Sequence, residues 1–135
     1  MSDIRHSIET ELALLLGAVI SDVAVLPGRS SGIRPPEYVC VIVDKTESRS
    51  MTGDVVVADV NVLSVIPADD PDASVRSKDR FHAICEFFRD INCPFHGIIN
   101  NILVYGYYVG KQEDAQKDRS HGDILRLIAG VGFSS

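Results

Sequence analysis

The chain has 135 residues, 45% hydrophobic and 24% charged, which supplies one packed domain over residues 1–135 and leaves little room for a second. Its 13 Lys and Arg against 19 Asp and Glu give a formal charge of −6, a balance that repels phosphate backbones and argues against direct nucleic-acid binding. No apolar run reaches the roughly 18–20 residues that span a bilayer, and the N-terminus lacks the basic start and apolar block of an export signal, so a soluble protein made in a cytoplasm is expected.

In chain order, Ile4, Ile8, Leu12, Leu15 and Val19 recur at helical spacing and predict a first helix of about four turns, capped by Asp3 or Ser2 and weakened at its end by Gly17. Val23 to Leu26 form a short apolar run closed by Pro27 and Gly28, as expected of an edge strand. Residues 27–37 combine Pro35 and Pro36 with Arg29 and Arg34 and read as a loop. Tyr38 to Val43 are apolar on both pleat faces, which predicts a strand covered on each side. Residues 44–49 turn polar ahead of a turn at 51–54, where Gly53 tolerates a positive φ. From Val55 to Ile66, the residues Val56, Ala58, Val60 and Val62 alternate with Asp59 and Asn61. This is a long strand and the hairpin partner of residues 38–49, stopped by Pro67 and Pro71.

Helical spacing returns over residues 74–92, with Phe81, Ile84, Cys85, Phe88 and Ile91 as the apolar stripe, Asp72 or Ser74 as cap and Asn92-Cys93-Pro94 as exit. After a short connector, Ile102 to Val109 predict a strand in which Gly106 signals a bulge or a close backbone approach. Residues 110–122 have almost no apolar anchors and read as an exposed, mobile loop; Ile124 to Phe133 then form a last strand antiparallel to the previous one. The expected fold is α+β, an antiparallel β-sheet with two flanking α-helices, two β-hairpins and long polar loops.

Chemistry-bearing motifs are missing. Cys40, Cys85 and Cys93 form no C-x-x-C pair, and their number and setting fit a reducing compartment; Cys40 and Cys85 sit among apolar residues, and Cys93 is the one expected at the surface. His6, His82, His96 and His121 fall on separate elements without metal-ligand spacing. Asp70, Asp72 and Ser74 begin like a calcium loop, but Val75 and Phe81 occupy the positions that need Gly and Glu. The Gly28–Gly32 stretch lacks the lysine of a phosphate-binding loop, and there is no G-x-S-x-G elbow. No catalytic, cofactor-binding or metal-ligating residue is nominated, and no enzyme activity is expected.

The order of elements, carried by IRHSIETELALLL, YVCVIVDK, DVVVADVNVLSVI, RFHAICEFFRDI, NILVYGYYVG and HGDILRLIAGVG, resembles the tail terminator, or tail-completion, proteins of long-tailed bacteriophages. That resemblance implies a structural virion protein at the head-proximal end of the tail, assembled in the host cytoplasm. It implies a homo-oligomeric ring of six copies that caps the tail tube, stops its polymerisation and offers a surface to the head–tail connector or neck protein, with no cofactor and no substrate turned over. Segments 27–37, 44–54 and 110–123 are then the candidate contacts, through Arg29, Arg34, Lys45, Glu47, Arg49, Lys111, Glu113, Asp114, Lys117, Asp118 and Arg119. The rival readings are another head–tail joining protein, a small α+β enzyme or ligand-binding domain with a pocket between the second helix and the sheet, and an adaptor that docks a partner's strand on a sheet edge.

Overall fold

The structure, a computed structural model, describes residues 4–28, 37–48, 55–67, 72–100, 102–117 and 120–133. The elements run α1 (Ile4–Val19), β1 (Ala24–Pro27), β2 (Tyr38–Ser48), β3 (Val55–Pro67), α2 (Ala73–Arg89), β4 (Gly97–Ile99), β5 (Ile102–Lys117) and β6 (Ser120–Phe133). Among these residues the strands make one sheet in the order β1-β2-β3-β6-β5-β4. All neighbouring pairs are antiparallel except β1 with β2, which run parallel, Ala24 beside Tyr38 and Pro27 beside Val41. The mixed α+β class is as expected; the parallel edge pair is not. Tyr38, where β2 starts, lies beside Ala24, where β1 starts, so the two strands run the same way.

The sheet's pleat sorts side chains cleanly. Val39, Val41 and Val43 of β2, Ala58, Val60 and Val62 of β3, Leu125, Leu127, Ala129 and Val131 of β6, and Ile102 and Val104 of β5 are buried in one cluster with residues of both helices. The helices therefore share one face of the sheet; on the other face of β2, Cys40 is buried and Tyr38 and Ile42 are half-buried. On α1 the buried stripe is Ile8, Leu12 and Leu16, joined by Ser7, Glu11 and Ala13. Ile4 and Leu15 are partly buried against the core, and Val19 is exposed. The i, i+4, i+8 row wins because it is the one that faces β1 and β2.

On α2, Ile84, Cys85, Phe87 and Phe88 are buried, and the Phe88 ring meets those of Phe87, Phe95 and Tyr107 edge to face at 4.9, 6.4 and 5.6 Å between centroids. Tyr107 donates its hydroxyl hydrogen to the Phe88 carbonyl at 2.5 Å, so β5 is fastened to the last turn of the helix. The helix stops at Arg89, three residues before the expected end, and Ile91 is almost fully exposed in the following turn. Asp72 holds the N-cap position without a side-chain capping bond; its carbonyl accepts from the Arg76 amide instead. Ser2 and Asp3 and the turns at 51–54 and 68–71 lie outside the described residues. Cys93 is buried like the other two cysteines, against expectation, because the chain folds back at Phe95 onto the aromatic cluster.

Two further differences concern β structure. The connector before β5 holds a three-residue strand, β4, too short to show periodicity. Residues 110–122, expected as a loop, continue the two last strands: β5 reaches Lys117, β6 starts at Ser120, and Gln112, Asp114 and Lys117 face Leu125, Asp123 and Ser120 in register. Main-chain hydrogen bonds do not depend on side-chain polarity, and β6 is already held on its other edge by β3 as far as Pro67 opposite Ser120. The bulge expected at Gly106 is present, as a register shift between Val104 and Gly106, and a second lies between Val109 and Lys111.

Candidate interaction face

The sheet face turned away from the helices bears cross-strand rows that no described layer covers. One row reads Lys45, Asp59, Ile128, Tyr108 across β2, β3, β6 and β5; the next reads Glu47, Val57, Gly130, Gly106. Farther along lie Asn61 beside Arg126 and Leu63 beside Ile124. Val57, Leu63, Val65 and Ile128 are half-buried, and Tyr105 and Tyr108 are 56% and 61% exposed. Apolar side chains and two exposed tyrosines thus share this face with Lys45, Glu47, Asp59, Asn61 and Arg126.

Its relief comes from glycines. Gly106 and Gly130 lie side by side and floor a shallow trough of about 580 Å³. Tyr108 and Ile128 stand on one side; Lys45 and Asp59, with Nζ and Oδ2 3.6 Å apart, form its charged lip. Lys45 is 74% exposed and Asp59 34%, so the pair is held in high dielectric and contributes little to stability.

The outermost strands of the sheet are short and leave residues 42–48 of β2 and 105–117 of β5 without a described strand on their outer side. β1 is four residues long and ends in Pro27, which has no N–H to offer, and β4 is three residues long. Past Val104, β5 leaves β4 behind and bears both bulges. Where β1 stops, Glu9 of α1 takes over its role: the Val43 amide donates to Glu9 Oε2 at 2.9 Å. The same carboxylate sits against Gly28, whose φ is +67 and where a Cβ would lie 3.0 Å from Glu9 Oε1, so glycine is required at that turn twice over.

At the opposite end of β1 an ionic clasp ties α2 to the start of both parallel strands. Arg80, with its side chain only 3% exposed, donates from Nη2 to Asp22 Oδ2 at 2.8 Å and lies 2.7 Å from Glu37 Oε1; Arg76 donates to Glu37 Oε2 at 3.0 Å. The Arg80 hydrogen bond holds the Asp22 carboxyl below its ordinary range. Arg80 Nε and Nη1 are buried without a hydrogen-bond partner among the described residues. Near the other end of the sheet, Asn100, at φ 49, donates to Glu11 Oε2 at 2.6 Å. Burial and the neighbouring Cys93 push the Tyr107 hydroxyl up, which keeps it a hydrogen-bond donor. These groups are all engaged in holding the fold together.

Of the residues nominated from sequence, Lys45 and Glu47 reach the open face, from a strand and not from the loop expected at 44–54. Lys111, Glu113, Asp114 and Lys117 belong to β5, opposite Arg126, Ile124, Asp123 and Ser120. Arg29, Arg34, Arg49, Asp118 and Arg119 lie outside the described residues. Sequence reasoning missed Asp59, Tyr108, Ile128 and Gly130, although the Asp59/Asn61 alternation and the Gly106-Tyr-Tyr run were available as signals. Among the described residues no group of three or more His, Cys, Asp or Glu is placed to hold a metal, and no helix is long and apolar enough to cross a membrane. The sequence matches no protein-family model and no curated protein.

Proposed function

We propose that this protein is a structural subunit of a bacteriophage tail, of the tail terminator kind. Copies join into a closed ring, hexameric in the reading, that caps the tail tube, ends its polymerisation and presents a surface to the head–tail connector. The observation that carries the reading is the open sheet face: a broad surface of Val, Ile, Leu and Tyr, backed by two helices. Such a face binds by shape, and each modest contact is multiplied around a ring that meets a repeating tube end. Element order and chain length give the family resemblance its support.

Negative-stain electron microscopy of the purified chain tests it. Closed rings with uniform subunit number are expected, and single particles of monomer size at micromolar concentration would overturn the reading.

A further inference from the structure

Gly106 closes the bulge after Val104, but neither it nor Gly130 is required by its backbone angles or by crowding. Neither has a positive φ, a Cβ at Gly106 would meet nothing within 4 Å, and one at Gly130 would meet only ordinary contacts at 3.8 Å or more. Glycine weakens a strand interior, and two paired across strands on the open face, with room for side chains at both, leave a slot there.

The walls of that slot define its occupant. Its floor is the backbone of the two glycines next to Val57, its side is the exposed ring of Tyr108 beside Ile128, and its lip carries the carboxylates of Asp59 and Glu47 with Lys45, whose Nζ lies 3.6 Å from Asp59 Oδ2. A long side chain with an apolar stem and a cationic head matches all three: the stem lies over the glycines, the head stacks on Tyr108 and pairs with Asp59. Anionic ligands meet two carboxylates, Asp59 and Glu47, against the one cation Lys45 in the lining, and a chain of net charge −6. We infer that the Gly106/Gly130 trough is a docking slot for an arginine side chain of a partner protein, with Tyr108 as its stacking platform and Asp59 as its counter-ion. The inference rests on the reading of this face as an assembly surface and names the chemistry it accepts.

The test is an NMR titration of the full-length, ¹⁵N-labelled chain with the blocked tripeptides Gly-Arg-Gly and Gly-Glu-Gly. Saturable shifts of the Gly106, Tyr108 and Gly130 amides are expected with the arginine peptide only. They should be lost in Gly130→Val, which fills the slot, and weakened about tenfold in Asp59→Asn, which removes a charge-assisted bond. Absence of saturable shifts, equal shifts with both peptides, or shifts untouched by Asp59→Asn would overturn the inference; the last holds even if Gly130→Val does not fold. Particle size is read on the same samples by light scattering. Rings without arginine binding would remove the slot and leave the assembly reading standing, whereas arginine binding by a lasting monomer would do the reverse.

Discussion

Arg80 is the residue whose burial is hardest to account for by packing alone. Its guanidinium is inside the protein with two donors unpaired among the described residues, yet it faces Asp22 and Glu37 at 2.8 and 2.7 Å. A buried ion pair of this kind roughly balances desolvation against attraction, while removing one partner strands the other. Arg80→Met leaves Asp22 in solvent and Glu37 with Arg76, and is expected to cost less than Glu37→Gln, which takes a partner from the buried Arg80 guanidinium and costs about 1–3 kcal/mol. Urea unfolding of both variants checks the asymmetry.

The same clasp sets an acid limb. Asp22 has its carboxyl lowered chiefly by the Arg80 hydrogen bond. Its contribution to stability is therefore complete above the unfolded carboxylate value of about 3.9 and is lost as pH falls through the lower folded value. Stability measured from about pH 5 down to pH 2 should fall less steeply in Arg80→Met than in the parent. None of this clasp was legible in the sequence: Asp22, Glu37 and Arg80 are far apart along the chain, and only the parallel β1–β2 pairing brings the two carboxylates to one end of the sheet.

At the scale of elements, the helix and strand periodicities were legible wherever one face is apolar, as in Ala58, Val60 and Val62 or in Ile84, Cys85 and Phe88. Phe88→Ala should cost about 3–5 kcal/mol, because the ring fills the contact between Phe87, Phe95 and Tyr107; a change in melting consistent with under 1 kcal/mol would contradict that packing. The distal hairpin was illegible because its order comes from backbone pairing, which leaves no pattern in KQEDAQKDRSHGD. Replacing residues 115–122 by a tight turn should lower stability and speed hydrogen exchange at those β3 amides near Pro67 that bond to β6. Unchanged exchange there would mean that β6 begins later than Ser120. The ends of elements were the other loss: Val19 and Ile91 fit the helical spacing but fall where the helix has left its partner layer or has ended.

At the scale of the molecule, a two-layer domain of helices on one sheet face leaves the other face to be covered by something else. In the proposed assembly that cover is another protein surface, and the alternation of Asp59 and Asn61 with apolar residues marks β3 as a strand with two different faces. What the alternation does not show is that tyrosines and glycines from β5 and β6 join the same rows, since that depends on register across three strands. The proposed tail role requires self-assembly. Static light scattering of the full-length chain across a hundredfold range of concentration measures it most directly: a mass that settles at six subunits is predicted, and the mass of one chain at every concentration would contradict it.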